Sequence, residues 1–552
     1  MNYMKNLKLL FVLLYIINVA SAKTLYVKPD VLSTAWSNVE GTVYTSISTA
    51  YSAAVAGDQV WVSAGEYVFS EMMSLKSGVS LYGGFAGTET SLDDRAKKEG
   101  GHVWDFVNET VVTRDEALTA SNFIGQSNTL AISAIIDGIT FEKSIGSAVT
   151  VRQGGIVQNC IFRENISTVG GGGVQMYMGG TVRYCYFYKN RSRLATEGVA
   201  DTNGGAGLYA HSTNVNTPCY VENCFFDSNV GLGWATGGGA GMRANAATTV
   251  ANCIFYNNMA AGGKGSAIFS SWASNTFVNC LIYNNAGHSA IYANDGGNFI
   301  NMTICNNVVT NPVHFAKATA NGYKLVNSIV WNNKTAKGTA TKINSVGNTS
   351  STTLSYLACN NGASGITGAI TTDMLEDNFV YDLSDNNTGS EEGVNYPEFV
   401  LPTSFVGVVY TSDVDSLAEL SAADWKIKGS SFLINKGNNE FVPLEYDTDL
   451  SGKVRALTEE DRVDLGVYEV EPSNPTAIAV SSIEDEKSIY AASGVLHVGV
   501  ENSIVSVFDI SGKLVAFFRT GNSMESVILE SGIYIVKVES EGGSLITEKV
   551  IL

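Results

Sequence analysis

Between residues 159 and 333 one seven-position pattern of apolar and polar residues returns seven times. The copies are NCIFREN (159–165), YCYFYKN (184–190), NCFFDSN (223–229), NCIFYNN (252–258), NCLIYNN (279–285), NMTICNN (301–307) and NSIVWNN (327–333). The fourth position is always large and apolar (Phe162, Phe187, Phe226, Phe255, Ile282, Ile304, Val330), whereas the fifth varies among Arg163, Tyr188, Asp227, Tyr256, Tyr283, Cys305 and Trp331. Neighbouring positions of such different tolerance predict a short strand whose uniform side points inward and whose mixed side points outward. Asn at both ends suits turns, because Asn tolerates left-handed backbone and its amide can bond along a stack of identical amides.

Successive copies start 25, 39, 29, 27, 22 and 26 residues apart. That period signals stacked units, each too small to bury its apolar face alone. A second phrase follows by about half a period: GGAGLYA (204–210), GGGAGMRA (237–244), GKGSAIFS (263–270) and GHSAIYA (287–293). It reads as the next strand of the same coil, with Gly where the backbone bends or packs closely. The expected architecture is all-β, a parallel β-helix gaining about 4.8 Å per coil.

The ends of the chain read differently. Lys5 and Lys8 precede the apolar run LLFVLLYIINVA, which closes on Ala20-Ser21-Ala22, the form of a secretory signal peptide over 1–22 cut before Lys23. Ser46 to Ala56 predicts a short helix and VWVSAGEYV a strand, together a cap over the otherwise open end of the first coil. Past Asn333 the repeat fades, although Leu354, Tyr356 and Leu357 can still supply inward residues, and an acidic tract, 373–398, reads as loops. EPSNPTA (471–477) is a linker, and four or five short alternating strands after it predict a small β-sandwich.

Several of these segments carry a resemblance. AAVAGDQVWVSAGEYVF, SLYGGFAGTETSLDDRA, the looser copy DGITF (137–141) and the NC-aromatic phrases resemble secreted right-handed β-helix proteins of the pectin-lyase-like superfamily, including those with polymorphic-outer-membrane-type repeats. ADWKIKGSSFLINKGNNEF, YDTDLSGKVR and RVDLGVYEVE are similar to the anchor-associated module that closes many such proteins. The matching residues are Gly429-Ser430, Asn435-Lys436-Gly437, Asp447 to Arg455 and Val463 to Glu469. VFDISGKLV, SGIYIVKV and the terminal KVIL resemble the type A sorting domain of the type IX secretion system. The resemblance implies a division into signal peptide (1–22), right-handed parallel β-helix with its cap (23–358), tail module (359–470), linker (471–478) and sorting sandwich (479–552). It also implies display at the outer-membrane surface, with the secretion machinery as a partner.

Charge and cysteine usage narrow the function classes. The chain has a formal net charge of −19, but residues 137–335 hold 12 Lys and Arg against 8 Asp and Glu, while 360–552 hold 11 against 32. An acidic tail argues against nucleic acid as a partner, and mildly basic coils tolerate an anionic glycan. Cys160, Cys185, Cys224, Cys253 and Cys280 share one inward position and read as a ladder of small buried groups rather than disulfides. With Phe162, Phe187, Phe226 and Phe255 they make up the expected core ladder.

Catalytic signals are sparse. The resemblance implies lyases that use a basic proton abstractor, often with calcium, and hydrolases that use closely spaced Asp pairs. Acids between 159 and 335 are Glu164, Glu197, Asp201, Glu222, Asp227 and Asp295, which form no such pair. His211 and His288 read as surface or packing residues. Asp447, Asp449, Ser451 and Gly452 resemble half a calcium loop, but Thr458 stands where a bidentate Glu is needed, so no cofactor is expected, with calcium as the alternative. Two features are suited to binding. Arg183, Lys189, Arg191 and Arg193 form a clamp for sulfate or carboxylate, or else a solvated turn. Tyr188, Tyr256, Tyr283 and Trp331 form an outward stripe for sugar rings, or else lie under a long loop. The leading expectation is a monomeric, surface-displayed, non-catalytic β-helix, adhesive or glycan-binding. A polysaccharide lyase acting on an acidic polymer is the alternative, and a structural spacer the third.

Overall fold

The computed structural model describes residues 22–471 and 489–551 apart from 116–121, 126–132, 168–169, 193–203, 213, 232–237, 246, 262, 318–320, 346–351, 369–379, 384–396, 411, 456–461, 493–494, 500–501, 510–512, 522–524, 530–531 and 541–544. The expected signal peptide therefore lies outside the described residues. Compact packing divides the chain into two units, Met1–Ser473 and Asn474–Leu552.

The first unit is a right-handed parallel β-helix of three faces. Strands such as Ile156–Gln158, Gly180–Arg183, Cys219–Glu222 and Thr248–Ala251 make the first face. The heptad phrases make the second, among them Ile161–Arg163, Tyr186–Tyr188, Phe225–Asp227 and Ile254–Tyr256. The third begins at Val149–Arg152, Val174–Tyr177 and Leu208–His211 and continues through the Gly-rich phrases. Strands of successive coils pair in parallel, with each fourth position opposite the next: Phe162 on Phe187, Phe187 on Phe226, Phe226 on Phe255, Phe255 on Ile282. Parallel coils continue beyond residue 358 to Ile366–Gly368 and Val380–Asp382, so the coil pattern outlasts its sequence signal.

The repeated phrase sets two corners per coil. Its first position (Asn159, Tyr184, Asn223, Asn252, Asn279, Asn301, Asn327) has φ of 52–53°, and its sixth (Glu164, Lys189, Ser228, Asn257, Asn284, Asn306, Asn332) has φ of 51–57°. Both corners are left-handed, which is why Asn predominates there. The seventh position turns inward as a buried amide ladder. Nδ2 of Asn165, Asn190, Asn229, Asn258, Asn285 and Asn307 each donates to Oδ1 of the next Asn at 2.8–3.0 Å, ending on Asn333.

Inside the coil, the rings of Phe141, Phe162, Phe187, Phe226 and Phe255 stack at centroid spacings of 5.3, 5.0, 4.7 and 4.5 Å. Cys160, Cys185, Cys224, Cys253 and Cys280 run beside them as fully buried free thiols. Burial pushes the Cys280 thiol up to about 12, which keeps it protonated and inert. At the N-terminal end the helix Ile47–Ala53, capped by Ser46 accepting from the Thr49 amide, lays Ile47, Ala50 and Tyr51 over the first coil. That plug removes an open strand edge.

The tail docks on the coils instead of standing apart. Strands Phe399–Leu401 and Asp424–Ile427, with the helix Val414–Ala422 between them, cover the second face of the later coils. Phe399, Leu420, Trp425, Ile427, Leu433, Leu465 and Val467 form one core with Leu281, Tyr283, Cys305, Ile329 and Trp331.

In the second unit, strands Ile489–Ala492, Val495–Val498 and Glu525–Ile528 form one antiparallel sheet. Leu514–Arg519, Ser503–Asp509, Ile533–Ser540 and Leu545–Ile551 form the other. Between them lie Leu496, Val498, Val505, Val507, Val536 and Val538. This alternation of buried and exposed positions is that of a small β-sandwich.

Candidate functional site: the outer side of the third face

Third-face strands alternate in the simplest way. Val149 and Val151, Val174 and Met176, Leu208 and Ala210, Met242 and Ala244 point inward and are buried. The residues between them must point outward. In register, one outward column reads Thr150, Gln175, Tyr209, Arg243, Phe269, Tyr292, His314 and Asn344. A second column two residues on holds Arg152, Tyr177 and His211.

These side chains form a contiguous ladder. Phe269 stacks on Tyr292 at 5.2 Å and Tyr292 on His314 at 4.9 Å. His211 stacks on Tyr209 at 6.0 Å and meets Tyr177 edge-on at 5.9 Å. Cations sit over the rings: Arg152 over Tyr177 at 5.2 Å, Arg243 over Phe269 at 4.8 Å, Lys264 over Tyr292 at 4.7 Å. Each contact gains from the ring quadrupole, and the set spreads positive charge along the coil axis.

Both half-buried histidines meet an asparagine amide. Asn245 Nδ2 contacts His211 Nδ1 at 2.6 Å, and Asn344 Nδ2 contacts His314 Nδ1 at 3.1 Å. Because the amide nitrogen only donates, Nδ1 of His211 accepts and its neutral ring keeps the proton on Nε2, whereas Nδ1 of His314 lies between Asn344 Nδ2 and, at 3.5 Å, Asn311 Oδ1. Burial, then the Arg243 charge, holds the His211 ring below its ordinary pKa. Burial, then His288 and Lys264, brings His314 down to about 4. Neutral imidazoles therefore offer an N–H, while Arg152, Arg243 and Lys264 carry the charge. The Tyr177 hydroxyl, accepting from Gln175 Nε2 at 2.6 Å, is raised by burial and stays protonated. The half-buried cations can grip carboxylate or sulfate groups along an extended chain; Tyr177, His211 and His314 are half-buried beside them, whereas Tyr209, Phe269 and Tyr292 are only 5–6% exposed and serve to back the cations.

The residues expected from the heptad phrase are dispersed. Arg183 belongs to the first face, where its guanidinium donates to Gln158 Oε1 at 2.7 and 2.9 Å. Lys189 and Arg191 sit at the second corner, in a groove of about 750 Å³ with Arg114, Lys143 and Glu164. Arg193 lies outside the described residues. A single four-membered clamp is thus replaced by two separate locations, because a left-handed corner lies between Arg183 and Lys189.

The aromatic stripe is corrected in the same way. Tyr283 and Trp331 are buried beneath the tail, with Trp425 5.3 Å from Tyr283 and Phe399 5.7 Å from Trp331. Tyr256, partly buried, stacks on Tyr283 at 5.3 Å and packs on the same core. The chain's own tail occupies the faces a sugar would need. Tyr188 stacks on Tyr186 at 5.5 Å, with Lys189 Nζ 4.7 Å from its ring. Asp227 is buried, accepting from Tyr186 at 2.5 Å and Ser228 at 2.6 Å. Asp449 belongs to a turn, its Oδ1 accepting from the Ser451 and Lys453 amides and its Oδ2 from the Glu469 amide.

His211, expected as surface or ladder packing, is a member of the ladder, with His314, Tyr177, Tyr209, Tyr292, Arg152 and Arg243 in the same ladder. Its signal in the sequence is the alignment of VTVR, VQMY, LYAH, MRA, IFS, IYA and VHF in one register.

Neither a family model nor a curated protein matches the chain. Among solved structures it is similar to pectate lyase Pel9A, with a TM-score of 0.36 and 11% identity over 82% of this chain and 97% of that one. A rhamnogalacturonan lyase gives a TM-score of 0.34 and 13% identity over 72% and 98%. The PL6 family alginate lyase AlyGC gives 0.25 and 13% over 68% and 55%. These likenesses are loose and carry nothing about substrate or chemistry to this chain.

Proposed function

We propose that this protein is an exported, surface-displayed β-helix that binds an anionic polysaccharide along its third face. The observation that carries this reading is the ladder of Arg152, Arg243 and Lys264 interleaved with Tyr and His side chains at one step per coil. A polymer carrying a carboxylate on each sugar can place one against each of these cations, which stand three coils and one coil apart along the axis. His211 adds a neutral donor to these cations, since its Nδ1 is met by Asn245 Nδ2 and its Nε2–H is left for a ligand oxygen. In the same reading the segment 1–22 directs export, the module 359–470 seals the coils, and the sandwich 479–552 engages the secretion machinery.

The test is an array of acidic polysaccharides followed by calorimetry on the strongest binder. Arg243→Ala should weaken binding by about tenfold, the loss of one charge-assisted contact. Release of unsaturated sugars by the intact protein would replace binding with elimination chemistry. Export is tested separately by deleting 479–552, which should leave a folded chain in the periplasm. Normal surface display of that truncated chain would overturn the sorting role.

A further inference from the structure

The second corner of the coil is a track, and the chain already uses half of it. Residues 403–410 run as a strap along this corner toward the earlier coils, meeting a side-chain amide with every second residue. Asn306 Nδ2 donates to Thr403 O at 2.8 Å, and Asn284 Nδ2 to Phe405 O at 3.1 Å and Gly407 O at 3.0 Å. Asn257 then holds Val409 from both sides: its Nδ2 donates to Val409 O at 3.2 Å, and its Oδ1 accepts from Val409 N at 2.6 Å. The strap crosses an outward column of third-face residues. Over Val308 it comes so close that a Cβ on Gly407, itself at φ +89°, would stand 2.5 Å from the Val308 side chain.

Beyond Tyr410, among the described residues, the track continues without the strap. The same corner position becomes Ser228, Lys189, Glu164 and Lys143, and the same floor column continues as Met259, Val230, Arg191, Ile166 and Ile145. These residues, with Val408, Val409 and Tyr410 at one end, line the groove of about 750 Å³. Arg191 and Tyr410 are exposed and Lys189 is half-buried. Of the charged lining residues, Arg114, Lys143, Lys189 and Arg191 face Glu164, and Lys143 is paired with Glu142 at 2.8 Å. Cation excess therefore concentrates at Lys189 and Arg191, in the middle of an otherwise apolar floor.

We propose that this open half of the track binds an extended polypeptide segment of a partner protein, one with apolar side chains flanking a carboxylate. Its recognition would repeat the strap's: polar corner side chains meeting every second peptide group, apolar side chains over Ile145, Ile166, Val230 and Met259, and the carboxylate between Lys189 and Arg191. Five coils span about 19 Å, the reach of about six extended residues. The site is separate from the third-face ladder, so the two readings stand or fall independently.

The probe is a fluorescein-labelled, end-capped decapeptide of alternating valine and glutamate, titrated with the intact protein and followed by anisotropy. Saturable binding is expected, weakened about tenfold or more by the double variant Lys189→Glu/Arg191→Glu and by Val230→Asp, and unchanged by Arg243→Ala. A thermal scan of each variant should match the parent, because all three positions lie on the surface of the coil. Absence of binding, or binding indifferent to the charge reversal, overturns the proposal. So does displacement of the peptide by oligogalacturonate whose own binding is lost in the charge-reversed variant, which would make the groove a sugar site.

Discussion

Asparagine serves two roles at three positions of the repeated phrase, and each role has a different physical basis. At the first and sixth positions it relieves a left-handed backbone, whereas at the seventh its amide is buried and fully partnered. Asn229 Oδ1 accepts from both the backbone N and the Nδ2 of Asn190, and its own Nδ2 donates to Phe187 O and Asn258 Oδ1. Asn229→Ala strips two buried donors on Asn190 of their acceptor, at about 1 to 3 kcal/mol for each orphaned group. Phe226→Ala, two residues inward of the same corner, leaves a void between rings that stack at 4.7 and 4.5 Å, and should cost about 3 to 5 kcal/mol. Urea midpoints of the two variants check both figures, and a fully tolerated Phe226→Ala would mean that this column is not packed. His314 adds a pH dependence of definite sign. It is surrounded by His288, Lys264, Tyr292, Asn311 and Asn344, and its folded-state pKa is brought from 6.5 to about 4. The unfolded chain therefore binds the proton more readily, so the stability this group contributes is present above about pH 6.5 and is lost as pH falls toward 4. Melting temperatures measured across that window should decline less steeply for His314→Gln.

At the scale of elements, the tail explains why the later phrases carry Asn at both corners. Asn279 Nδ2 donates to Thr448 O, Asn327 Nδ2 to Asn438 O, and the sixth-position amides hold the strap. The motif Asp447 to Arg455 with Val463 to Glu469 is the buried lock of this contact. Arg455, fully buried, donates to Glu469 Oε2 at 3.0 Å, to Asn279 Oδ1 at 3.1 Å and to Gly466 O at 3.1 Å. Arg455→Ala leaves Glu469 buried without its cation, a loss of about 3 to 5 kcal/mol, and should undock the tail. Limited proteolysis ought then to cut within 397–471 while the coils resist, and unchanged protection of the tail would refute the lock. The strand alternation, the corners and the core column were legible in the sequence because each recurs once per coil. Burial of Tyr283 and Trp331 was legible as one of two alternatives, cover by a long loop, but what covers them was not, since Trp425 and Phe399 are distant in the chain. The third-face ladder escaped for another reason: its outward positions share no residue type, and loops of unequal length separate its strands.

For the whole molecule, the ladder makes a prediction that no single substitution tests. Outward residues from Gln175 to Asn344 occupy seven successive coils, a column of about 29 Å. If the third face binds an anionic polysaccharide, each added sugar extends contact to another coil until the column is filled. Affinity should therefore rise with oligosaccharide length and then level off, whereas a ligand held in one pocket would level off after a few sugars. Because the attraction is mainly between exposed or half-exposed charges, affinity should fall with added salt, and more steeply for longer oligomers. Removing the Asn474–Leu552 unit should leave both dependences intact, since every ladder residue belongs to the coil unit. Calorimetry on a length series at two salt concentrations reads both trends at once. An affinity that ignores length and salt would locate recognition away from the ladder, whereas a length dependence that survives in high salt would assign the contact to the half-buried rings of Tyr177, His211 and His314 instead of the cations beside them.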